Sequence, residues 1–184
     1  MQVIGVVGLP GSGKSEAATV AREMDVPVVT MGDVVRAETE DRGLDPATDH
    51  GAVAEAMREE EGVEAIAKRS LPIIEDRLAD NDVVLVDGIR SDHEVAVFED
   101  AFGEDFTLVE IAAPFDVRKA RIETRGRDAG AEAGGESVAD RDERERGFGM
   151  DDAMAAADVT IDNTGTLAAF HDRVRELLRE ASDP

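Results

Sequence analysis

Short apolar runs alternate with longer amphipathic stretches along most of the chain. "QVIGVV" (2–7) is rich in Val and Ile with little alternation, the pattern of a parallel strand covered on both faces. "GKSEAATVAREM" (13–24) reads as a helix. A second short strand is predicted over 26–31, then a helix over 33–42 that "RGLDP" breaks. Residues 47–79 read as mostly helical, with Gly62 and Pro72 as joints. "DVVLVD" (82–87) gives a third strand, 91–102 a helix, and "FTLVEIAA" (106–113) a fourth strand. Pro114 opens a helix running to about Arg125. A small-residue loop (128–137) and helical pieces (138–157) follow. "DVTID" (158–162) is a fifth strand and 166–181 a final helix.

Strands that alternate with helices predict an α/β fold, a parallel sheet covered on both faces. The 184 residues suit a single domain, 1–184, and no internal repeat is visible. In such sheets ligands sit at the carboxyl ends of the strands. The loops singled out below leave a strand at that end or face it.

Charge changes the picture. There are 43 acidic residues against 20 basic, a formal net charge of −23, and the lysines are Lys14, Lys68 and Lys119 alone. Most of these carboxylates read as solvated surface, of a kind that needs salt screening. The balance suggests a halophilic protein from a high-salt cytoplasm. It argues against a nucleic-acid partner, whose phosphates require a basic face. No apolar run approaches the roughly 18 residues that span a bilayer, so no membrane partner is expected. The N-terminus lacks a signal-peptide pattern. Cysteine is absent, which excludes a disulfide framework and a Cys metal site, and with three histidines left the composition argues against a zinc site.

"GLPGSGKS" (8–15) carries the first specific chemistry. Gly8, Gly13, Lys14 and Ser15 fit the phosphate-loop pattern, with a strand in front and a helix behind. Its glycines let backbone N–H groups turn toward anionic oxygens, so Gly8, Leu9, Pro10, Gly11, Ser12 and Gly13 are candidate nucleotide-binding residues. Lys14 would bridge the β- and γ-phosphates of ATP and Ser15 would ligate Mg2+. Asp87, after four apolar residues at the end of the third strand, is the second candidate for Mg2+.

Three further stretches point to a second site. "TMGDVVRAE" (30–38) resembles the "TGDxLR" element by which adenylate kinases grip the acceptor nucleotide, with Gly32, Asp33 and Arg36 matching. "DGIR" (87–90) resembles their "DGFPR" element through Asp87, Gly88 and Arg90, with Ile89 standing for two residues. Arg121, Arg125 and Arg127 precede a glycine-rich loop, as in the lid of nucleoside monophosphate kinases, and Arg141 and Arg144 follow it. Arg58, Lys68 and Arg69 sit in the helical stretch between strands two and three, where they would frame an acceptor.

Dephospho-coenzyme A kinases offer a competing resemblance. Asp33 and Arg36 also fit their "DADxxAR" element, with Thr30 in place of its first Asp. "ADVTIDNTGTL" (157–167) looks like their C-terminal element, which puts Asn163, Thr164 and Gly165 near the adenine. As a whole the chain resembles archaeal P-loop proteins described as adenylate-kinase-related or dephospho-coenzyme-A-kinase-like. The resemblance implies strand order 2-3-1-4-5, a helical acceptor-binding region at about 31–80 and a small lid at about 121–149. It implies an ATP–Mg2+ kinase acting on a nucleoside monophosphate. Lys14, Arg121, Arg125 and Arg127 would act on the transferring group, with Arg36 and Arg90 on the acceptor. The alternatives are a dephospho-coenzyme A kinase with Asp33 as general base, and a regulatory ATPase without an acceptor. A monomer or homodimer is expected.

Overall fold

The first apolar run becomes the middle of a sheet. β1 (Gln2–Val7) pairs in parallel with β3 (Val83–Asp87) on one side and β4 (Phe106–Ala112) on the other. β2 (Val28–Thr30) and β5 (Val159–Asp162) add the outer strands, also parallel, in the order β2-β3-β1-β4-β5. This is the expected five-stranded order. A computed structural model provides this description for residues 1–128 and 137–182, without the side chains of residues 125–128.

Two apolar layers enclose the sheet because successive strand residues point to opposite faces. Ile4 and Val6 pack toward α1 (Lys14–Glu23) and α9 (Leu167–Ser182), which contribute Ala17, Val20, Phe170 and Leu178. Val3 and Val7 face the other layer. That layer is built by α2 (Met31–Asp41), α3 (Pro46–Glu61), α4 (Ala65–Leu78), α5 (Asp92–Phe102) and α8 (Met150–Ala155). Gly5 breaks the apolar run for a packing reason. A Cβ there would lie 2.8 Å from both Ile89 Cδ1 and the Phe106 ring.

The sequence expectations shift in three places. β2 is shorter than expected, because Met31 already begins α2. Pro72 is no joint: α4 runs through it, and the break between helices falls at residues 62–64, where Gly62 caps α3 at φ 101°. Pro72 lies on the exposed side of α4, where water can take the carbonyl its missing N–H leaves free. α6 (Phe115–Asp128) extends past Arg125. The stretch expected to form a lid continues as α7 (Val138–Gly147), begun by a capping box between Ser137 and Asp140. The rest of the predicted small-residue loop, 129–136, lies outside the described residues.

Candidate active site

From β1 the chain leaves toward β2, and from the neighbouring β4 it leaves the other way toward β5, so the loop after β1 opens at the switch point. Gly8, Gly11 and Gly13 adopt φ of 147°, 80° and 125°. A side chain at Gly8 would come within 2.5 Å of the Ile111 carbonyl oxygen, and one at Gly13 within 2.4 Å of Asn163 Nδ2. The loop therefore needs glycine for conformation and for space. It ends at the N-terminus of α1, whose dipole and free N–H groups suit a phosphate.

A cleft of about 880 Å3 lies over this loop. Pro10, Gly11, Gly13, Lys14 and Ser15 line it, while Gly8, Leu9 and Ser12 do not. Lys14 Nζ donates to the Gly8 carbonyl and lies 3.5 Å from that of Leu9, folded back over the loop. Burial holds its pKa below the ordinary lysine value, against the opposing pull of Asp87 and Glu145. Asp87 reaches the same cleft because the register sets it beside Val6 of β1 and Thr30 of β2. Ser15 and Asp87 supply hard oxygen donors and fit Mg2+, which takes only one or two protein ligands and keeps its waters. The glycine-built cradle beside Lys14 fits a polyphosphate.

Behind the loop, two arginines and an asparagine hold it in place. Asn163, at the end of β5, donates from Nδ2 to the Ser12 carbonyl at 2.7 Å and is buried. Arg121 donates to the Asn163 carbonyl at 2.7 Å and to that of Ser12 at 3.3 Å. Both side chains thus grip the back of the phosphate loop. Thr164 and Gly165 are exposed, and Thr164 N–H donates to Asp162 at 2.9 Å. Arg118, which sequence reasoning missed, is 3% exposed and makes a bidentate pair with Asp142 of α7 at 2.7 and 2.6 Å. It also donates to the Pro10 carbonyl at 3.0 Å, joining loop, α6 and α7.

The other end of the cleft is lined by Gly32, Arg58, Arg90 and Arg144, with Phe148 after α7. Asp33 and Arg36 instead pair with each other on α2, 63% and 55% exposed, and neither lines the cleft. Arg90 donates to Glu145 at 2.9 Å. His50 Nε2 lies 3.1 Å from the Gly32 carbonyl and ties α3 to the start of α2. Lys68 pairs with Glu64 at 3.6 Å, and Arg69 pairs with Glu38 and Glu61 outside the cleft. Arg141 does not line it either. The side chains of Arg125 and Arg127 lie outside the described residues.

Glu94 is the second buried charged residue at the site that the motifs did not reveal. Its carboxylate is fully buried, accepts the Arg90 backbone N–H at 2.8 Å, and lies 3.7 Å from Arg58. Burial pushes its pKa up, opposed by the Arg90 N–H and the two guanidinium charges. A signal existed: "SDHE" (91–94) is a capping-box pattern, and Ser91 Oγ accepts the Glu94 N–H at 3.2 Å.

A phosphate cradle at the switch point of a 2-3-1-4-5 parallel sheet, in a cleft whose other end is lined by arginines, defines a P-loop kinase-like protein. The chain belongs to the UPF0200 family, and the family model described as an AAA domain matches residues 7–134. A UPF0200 protein of Halobacterium salinarum is 62% identical over 178 residues, covering 97% of this chain and 93% of that one. One from Methanothrix thermoacetophila is 46% identical over 183 residues, with 98% of each chain covered.

Solved structures agree on the fold. TT1252 from Thermus thermophilus matches with a TM-score of 0.66 at 20% identity over 97% of both chains. A gluconokinase from Sinorhizobium meliloti matches at 0.58 and 17%, over 99% of this chain and 94% of that one. A shikimate kinase from Acinetobacter baumannii matches at 0.55 and 15%, over 98% and 92%. Among the described residues no helix is long and apolar enough to cross a membrane.

Proposed function

We propose that the protein is a kinase that transfers the γ-phosphoryl group of ATP to a nucleoside monophosphate, with Mg2+ as cofactor. One observation carries the reading: Lys14 and Asp87 share a single cleft with Arg58, Arg90 and Arg144. A phosphate donor and an anionic acceptor would therefore meet in one chamber.

In this reading the loop N–H groups and the start of α1 hold the β- and γ-phosphates. Lys14 exchanges the Gly8 carbonyl for the phosphate oxygens and follows the transferring group. Ser15 and Asp87 would hold Mg2+, which neutralises charge building on the phosphates. Arg90 and Arg144 hold the acceptor phosphate. One of its oxygens, anionic at neutral pH, forms the new P–O bond while the bond to ADP breaks and its electron pair leaves with ADP. No general base is required, which suits the position of Asp33 outside the cleft. Arg36 would have to leave Asp33 to reach the acceptor, and Arg125 and Arg127 would complete charge neutralisation. Asn163 and Arg121 keep the loop fixed so that its dipoles need no rearrangement. The working environment is a high-salt cytoplasm, a reading supported by the −23 net charge.

The test is ATP consumption in molar KCl against each nucleoside monophosphate and dephospho-coenzyme A. Stimulation by a monophosphate is expected. Stimulation by dephospho-coenzyme A alone would replace this reading with transfer to a ribose hydroxyl. Equal hydrolysis with and without every acceptor would leave a regulatory ATPase.

A further inference from the structure

Aromatic side chains are scarce in this chain: six phenylalanines, no tryptophan and no tyrosine. Phe98, Phe106 and Phe170 are buried in the core. Phe148 is 40% exposed and is the one phenylalanine among the described residues that line the cleft. Phe115 is as exposed, at 42%, but does not line the cleft, so it is the position of Phe148 rather than its exposure that calls for a reason.

Its surroundings supply one. The Arg58 guanidinium lies 5.5 Å from the centre of the ring. Arg58 is held by the Ala54 carbonyl at 3.4 Å and faces Glu94 at 3.7 Å. Glu94 also takes the Arg90 backbone N–H. One buried carboxylate thus fixes the support of the ring and the loop that carries an anion-binding arginine. A ligand bound by both would meet a flat apolar surface and a cation at a set separation.

We infer that Phe148, backed by Arg58, is the platform on which the acceptor's planar base stacks while Arg90 takes its phosphate. The inference rests on the kinase reading and narrows its acceptor to molecules that carry both a heteroaromatic ring and an anion. Stacking of this kind is tolerant of base identity, because every base presents a π-face. Phe148 is then the specificity-determining residue against acceptors such as sugar phosphates that have no aromatic ring.

The absence of tryptophan makes the test direct. In Phe148→Trp the introduced indole is the sole tryptophan signal. The donor site is first filled with a non-hydrolysable ATP analogue, and the protein is titrated with each nucleoside monophosphate and with ribose 5-phosphate. A saturable change in fluorescence with a monophosphate, and none with ribose 5-phosphate, is expected. Calorimetry on Phe148→Ala gives a second measure. Its Kd for the monophosphate rises at least about fivefold, while its Kd for ribose 5-phosphate stays within about twofold of the parent. A fluorescence change with the ATP analogue alone and no further response would assign the platform to the donor and overturn the proposal. So would equal responses to both titrants, or an unchanged Kd in Phe148→Ala. The two readings fail separately. Stacking without phosphoryl transfer sinks the kinase, and transfer that ignores Phe148 sinks the platform.

Discussion

Arg90 and Glu145 meet at 2.9 Å, the first from the loop after β3 and the second from α7. Glu145 is nearly buried, also lies 3.7 Å from Arg144, and contributes to the field at Lys14. A carboxylate therefore sits among the cations that would bind acceptor phosphate. Glu145→Gln removes its charge and keeps its shape. The acceptor KM is expected to fall several-fold with kcat nearly unchanged, since a charge-assisted contact no longer competes. Steady-state kinetics check this, and a raised KM would show that Glu145 positions Arg90 instead.

Lys14→Met is expected to lower turnover by two orders of magnitude or more, as loss of a few kcal/mol of electrostatic stabilisation requires. Its effect on stability has the opposite sign. Burial holds the folded-state pKa below the unfolded value of about 10.5. Between those two values the unfolded chain binds more protons, so stability rises with pH. Below the folded-state value the charged ammonium destabilises the free fold in full. Lys14→Met should therefore be more stable than the parent at neutral pH and should lose that rise on the alkaline side. Urea unfolding at a series of pH values measures both.

Asp142→Ala would leave the Arg118 guanidinium buried and unpaired. A loss of about 3–5 kcal/mol of stability is expected, and it should show as a lowered denaturation midpoint. Because Arg118 also holds the Pro10 carbonyl, ATP affinity should fall with it. Normal ATP binding in a destabilised Asp142→Ala would separate the ion pair from the loop.

For Asp33→Asn a change in turnover of less than about tenfold is expected, because Asp33 pairs with Arg36 outside the cleft. A general base for a hydroxyl acceptor would lose about 10² to 10⁴. The size of the drop in kcat thus decides between the two acceptor chemistries.

Salt provides a test independent of the site. At −23 net charge, the melting temperature should climb from low to molar KCl as carboxylate repulsion is screened. A flat melt would remove the high-salt reading and leave the cleft untouched.

Most of the strand and helix pattern was legible because parallel strands read as apolar runs and turns carry Gly or Pro. Pro72 misled because a proline on an exposed helix face is tolerated, and exposure follows from tertiary packing. The phosphate loop was readable as a motif, since its backbone needs glycine at set positions. The arginine-lined end of the cleft was only partly readable. Arg90 lines it, whereas Arg36 does not, a difference set by the rotation of α2. Arg118, Glu94 and Asp142 look like ordinary members of a charged chain. Their importance comes from burial, which a single sequence does not state.

The brace on the phosphate loop also bears on biosynthesis. The Asn163 amide and the Ser12 carbonyl it holds are separated by 151 positions in the chain. A ribosome completes the loop early and its brace late. The nascent chain therefore displays the GKS signature long before its cradle is braced, and a nucleotide bound there would reward folding of the braced loop only once the fifth strand has docked.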